Sequence, residues 1–77
     1  MEISAYVLIK LRPGQAEEVL KKVREIPNVK KAHMVTGIYD VILFITVKDL
    51  KELGELVAER IHEIDGVGST VTCIVVA

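Results

Sequence analysis

Two short stretches hold the residues best suited to chemistry. The first, Thr36-Gly37-Ile38-Tyr39-Asp40, sets a hydroxyl, a phenol and a carboxylate around a glycine. The second, Gly66-Val67-Gly68-Ser69-Thr70-Val71-Thr72, follows two glycines with three hydroxyls. Glycine lets a backbone come close to another group. Hydroxyls and free amides donate to a carboxylate, and a carboxylate accepts from an ammonium. Together the stretches offer partners for both ends of a free amino acid. Each also has a plainer reading. The first sits between two apolar runs, as a hairpin turn does. The second is a loop running into β-branched strand formers.

The other reactive groups point away from enzymatic work. Cys73 lies among Thr72, Ile74 and Val75 and reads as a buried small hydrophobe. His33 and His62 have no second ligand at metal spacing and read as surface residues. Asp40 and Asp65 sit at strand ends, with nothing to pair them as acid and base. No phosphate loop, nucleophile elbow or dinucleotide fingerprint occurs. The expectation is a non-enzyme with no cofactor and no metal.

The totals narrow the partners. A chain of 77 residues is one domain, 1–77, and buries only about 60% of its unfolded surface, so it is marginal alone. One cysteine allows no internal disulfide, which leaves oligomerisation as the remedy. The net charge of −1 provides no basic footprint for nucleic acid or membrane. No apolar run approaches a bilayer span and no signal peptide opens the chain. A free cysteine without an export signal fits the cytoplasm.

The elements that must position these residues follow from periodicity. Ile3 to Leu11 alternates strictly and predicts a strand. A helix is expected from Pro13 or Gly14 to Ile26, with Ala16, Val19, Leu20, Val23 and Ile26 as its apolar stripe. Val29 to Val35 forms a second strand, with Val29, Lys31, His33 and Val35 on one face; its lysines suit a sheet edge. Val41 to Val47 is apolar on both faces, so it is covered on both sides. Asp49 and Glu52 form a capping box for a second helix with stripe Leu50, Leu53, Val57, Ile61 and Ile64. Thr70 to Val76 is the fourth strand.

The halves repeat at an offset of 38 residues: Glu25-Ile26-Pro27-Asn28-Val29 aligns with Glu63-Ile64-Asp65-Gly66-Val67. Two such halves predict an α+β, ferredoxin-like βαββαβ fold. Its four-stranded antiparallel sheet has order 4-1-3-2, with both helices on one face. Tyr6, Leu8, Ile42, Phe44, Ile74 and Val76 are then expected on the uncovered face. An apolar patch of that size marks an interface, so a face-to-face dimer of the α/β-barrel type follows.

Val35-Thr36-Gly37-Ile38-Tyr39-Asp40, Asp49 with its leucine-rich helix, and Ile64 through Val75 resemble the effector (RAM) domain of the Lrp/AsnC regulators. The likeness spans nearly the whole chain, and the TGxYD turn with the GVxxTxT strand entry carries it. It implies a ligand-responsive module that binds a free amino acid between dimers and forms higher, octamer-like rings. By it, Gly37, Ile38, Tyr39 and Asp40 face Ser69, Thr70 and Thr72 of a neighbouring dimer. Asp40 would take the ammonium; loop amides and hydroxyls would take the carboxylate. The family's regulators carry an N-terminal helix-turn-helix, whereas Met1 here leads directly into a strand. The resemblance thus implies a stand-alone effector domain without direct DNA binding, able to mix with full-length relatives. Two other functions fit the fold: a small cofactor-free dimeric barrel enzyme, and a ligand-free assembly scaffold.

Overall fold

A computed structural model describes residues 2–77. The order is β1 (Ile3–Leu11), α1 (Ala16–Arg24), β2 (Val29–Met34), β3 (Val41–Val47), α2 (Leu50–Glu55) and β4 (Val67–Ile74). The strands pair antiparallel in the order β2-β3-β1-β4, the expected arrangement seen from the other edge. This is the ferredoxin-like fold.

One face of the sheet meets both helices. Ala5, Val7 and Ile9 of β1 stand opposite Ile45, Leu43 and Val41 of β3, and all six are fully buried. Val19 and Val23 of α1, and Leu53 of α2, close over them. The alternation in β1 and β3 dictates this, since a strand turns successive side chains to opposite faces.

The helices depart from expectation at their ends. Pro13 and Gly14 form a turn, and α1 begins at Ala16 with Gln15 as its cap. Asp49 caps α2 as read: its Oδ1 accepts from the Glu52 N–H at 2.8 Å. Glu52 reaches back one residue further than a capping box requires, accepting from the Lys48 N–H at 2.8 Å. After Glu55 the helix widens into a π-helical segment, Leu56–Ile61, in which the His62 N–H bonds the Val57 carbonyl at 2.8 Å. The widening shifts the buried stripe. Leu56 and Ile61 are buried, five residues apart, while Leu50 is 63% exposed. Leu50, the first residue of α2 and ahead of the widening, does not take its expected place in the stripe.

The repeat is visible in the backbone. The Ile26 N–H bonds the Val23 carbonyl at 3.1 Å, and the Ile64 N–H bonds Ile61 at 3.1 Å. The Val29 N–H bonds Ile26 at 3.0 Å, and the Val67 N–H bonds Ile64 at 3.2 Å. Each helix thus hands over to its strand through the same local turn.

Two strands carry corrections. A bulge between Val29 and Lys31 turns Val29 to the face of Ala32 and Met34, leaving Lys31 with His33. In β4, Ile74 pairs with Ala5 and faces the helices; Val76 lies beyond the strand. Val71 and Cys73 take the outer places, beside Leu8 and Tyr6. Cys73 is accordingly exposed rather than buried. The pattern misled because β4 is an edge strand whose helix-facing positions include Thr70 and Thr72. Both are only half-buried there, so their hydroxyls are tolerated. The open face holds Tyr6, Leu8, Ile42, Phe44, Val71 and Cys73, with the Tyr6 and Phe44 ring centroids 5.0 Å apart. No helix of the described residues is long and apolar enough to cross a membrane.

Candidate functional site

The central turn is fastened to the end of β1. The Val35 N–H bonds the Asp40 carbonyl at 2.8 Å, which closes the hairpin between β2 and β3. The Asp40 N–H bonds the Ile9 carbonyl at 2.9 Å. The carboxylate then reaches on, and Oδ2 accepts from the Leu11 N–H at 2.8 Å. The β1–β3 ladder ends at Ile9, so the Leu11 N–H, on the same side of β1 as the Ile9 carbonyl, lies past the last strand pair and needs another acceptor. Asp40 supplies it. Oδ1 takes no hydrogen bond among the described residues. Half of the carboxylate is structural and half is free.

The remaining turn residues differ in exposure. Gly37 has φ +126°, a conformation that favours glycine. Ile38 is 76% exposed, whereas Tyr39 is half-buried. Lys10 leans from β1 and donates from Nζ to the Ile38 carbonyl at 3.2 Å.

The second stretch lies at the same end of the sheet, across β1. Ser69 pairs with Lys10 and Thr70 with Ile9. Asp40, bonded to Ile9 from the β3 side, is therefore separated from them by about two strand spacings, roughly 10 Å. The three hydroxyls do not share a face within one chain. Ser69 points to the open face, and Thr70 and Thr72 point toward the helices. The two glycines approach this chain's own groups. A Cβ on Gly66 would stand 2.6 Å from the Gln15 Cβ, and one on Gly68 would stand 2.9 Å from the Lys10 carbonyl oxygen. Glycine is needed at both places for packing.

A cleft of about 430 Å³ opens between the central turn and the loop after β1. Gly37, Ile38 and Asp40 line one side, and Lys10, Leu11 and Arg12 the other. Its charged groups are one carboxylate and two cations. Lys10 and Arg12 escaped the reading of the sequence. They lie 28 residues from the turn in the case of the Lys10–Ile38 bond, and only strand register joins them to it. The signal available was their position at and just past the end of β1, whose partner strand begins at Val41, next to Asp40. Among the described residues no group of three or more His, Cys, Asp or Glu side chains is placed to hold a metal ion.

Known proteins match this chain throughout. The model of the Lrp/AsnC ligand binding domain matches residues 4–77. The uncharacterized HTH-type transcriptional regulator PH0140 of Pyrococcus horikoshii is 36% identical over 73 residues, covering 95% of this chain and 46% of the regulator. The chain spans about half the length of the curated relatives it matches. The structure of TTHA0845 from Thermus thermophilus is 32% identical with a TM-score of 0.93, covering 97% of this chain and 94% of that one. The transcriptional regulator NMB0573 of Neisseria meningitidis, solved as an L-Met complex, shares the fold at 22% identity and a TM-score of 0.89. That match covers 97% of this chain and 50% of the regulator.

Proposed function

This chain belongs to the Lrp/AsnC ligand-binding domain family, and from that membership we propose that it binds a free amino acid at the central turn and changes its assembly in response. It is related to transcriptional regulators. The single observation that carries the reading is the divided carboxylate of Asp40, which lines the cleft, with Oδ2 tied to the Leu11 N–H and Oδ1 without a hydrogen bond among the described residues. An acceptor held rigidly by the fold is preorganised for an ammonium, and a charged hydrogen bond of that kind is worth about 1.5–3 kcal/mol. NMB0573, which shares the fold over half of its chain, was solved as a complex with L-Met.

Because Asp40 also braces β1, ligand at Oδ1 and strand end at Oδ2 are linked through one side chain. The apolar open face supplies the dimer, and the exposed turn supplies the contact between dimers. Ser69 and Thr70, across β1 at the same end of the sheet, stand ready for the turn of a neighbouring dimer. Thr72, two pairs further along β4, shares the helix-side face with Thr70. Full-length relatives could share these surfaces, giving mixed assemblies in the cytoplasm. The work is binding, with no catalytic step.

A thermal-shift screen of the twenty amino acids, paired with sedimentation, tests this. A rise in Tm and a change in size with at least one amino acid are expected. A flat response across all twenty, with no change in size, leaves a ligand-free scaffold instead.

A further inference from the structure

We propose that the amino acid bound at this cleft carries an anionic side chain, and that Arg12 and Lys10 select it. The inference rests on the amino-acid reading above and narrows it to one chemical class.

The cleft sets two cations against one carboxylate. With Asp40 engaged on a ligand ammonium, Lys10 and Arg12 face the rest of the ligand. The α-carboxylate of a neutral amino acid satisfies one of them. A second carboxylate, on a short side chain, satisfies the other. Neither cation is consumed by the protein. The Arg12 guanidinium stands 3.8 Å from the Asp65 carboxylate, with the two side chains 65% and 82% exposed. A pair so open and so long is loose, and the guanidinium keeps a planar fork suited to a carboxylate. Lys10 spends one donor on the Ile38 carbonyl, and an ammonium has three. Ala16 and Met34 add apolar lining for the methylenes of a ligand. The volume, about 430 Å³, admits a molecule the size of glutamate.

The experiment is a calorimetric titration of the whole chain with L-glutamate and L-aspartate, against L-glutamine and L-asparagine. Each amide matches its acid in shape and lacks only the charge. At least one acid is expected to bind about tenfold tighter than its amide, or more. Arg12→Gln and Lys10→Gln should each shrink that ratio several-fold. Both side chains are exposed, so an unchanged circular dichroism melt of the free variants confirms the fold. Added salt should weaken the acid more than the amide. The inference is overturned if each amide binds as tightly as its acid. It is overturned too if Arg12→Gln leaves the ratio unchanged, or if an apolar amino acid binds tightest. In those cases an amino acid still binds and only the assigned class is wrong. If no amino acid of any class binds, the broader reading falls and this one with it.

Discussion

Asp40 has one observed job, bracing the end of β1, and one proposed job, holding a ligand ammonium, and substitution can separate them. Asp40→Asn keeps an oxygen for the Leu11 N–H and removes the charge. It should hold the free protein's stability within about 0.5 kcal/mol while abolishing the Tm rise with ligand. Asp40→Ala removes both, leaves the Leu11 amide without its acceptor, and should cost roughly 1–3 kcal/mol besides. Chemical denaturation and thermal shift on the two variants check the pair. If Asp40→Asn responds to ligand as the parent does, the carboxylate has no part in binding. Gly66→Ala should cost roughly 1–3 kcal/mol, because φ is +103° and the added methyl meets Gln15; denaturant unfolding reads it directly. At this scale the turn was legible, since a carboxylate after a glycine between two strands stands out. Its brace on Leu11 and the neighbouring cations were not. Those depend on which residue of β1 falls opposite Asp40, a fact of register rather than of residue type.

The strands were the most legible elements, because β1 alternates and β3 is apolar throughout, and one face is buried along all of β3 and at Ala5, Val7 and Ile9 of β1. The edges were less so. In β2 the bulge at Lys30–Lys31 reverses the phase of Val29, and a bulge leaves no mark in a short strand of mixed polarity. The second helix was legible at its start, through Asp49, and misread in its body. A stripe at spacings of three and four assumes an α-helix throughout, whereas Leu56 to Ile61 follows a wider turn. Leu56→Ala should therefore cost about 2–5 kcal/mol, and Leu50→Ala about 0.5 kcal/mol or less. Equal costs in denaturant unfolding would restore the uniform stripe. Gly54 has open space where a Cβ would stand, so Gly54→Ala should stabilise by about 0.5–1 kcal/mol.

Over the whole molecule, the uncovered sheet face is the proposed dimer surface of a short chain. Its apolar centre is Tyr6, Leu8, Ile42 and Phe44, with Val71 and Cys73 beside them. Tyr6 is 45% and Val71 42% exposed. A second copy laid on this face removes that surface from water. Phe44→Glu should convert dimer to monomer in sedimentation velocity and lower Tm; an unchanged sedimentation coefficient would place the interface elsewhere. The ferredoxin-like architecture was legible because the halves repeat, and the repeat survives as matching backbone bonds at both helix ends. The sequence pointed to an assembly only through an apolar face left over, and the proposed assembly rests on that face. Which turn meets which strand of a neighbour depends on a second chain.

The most direct measurement is one titration, read twice: sedimentation of the parent protein and of Asp40→Asn across a concentration series of the amino acid giving the largest thermal shift. The expected result is a size change that saturates with ligand in the parent and is absent in Asp40→Asn, with both proteins dimeric in its absence. The contradicting result is the same ligand-driven change in both proteins, or none in the parent at saturating ligand.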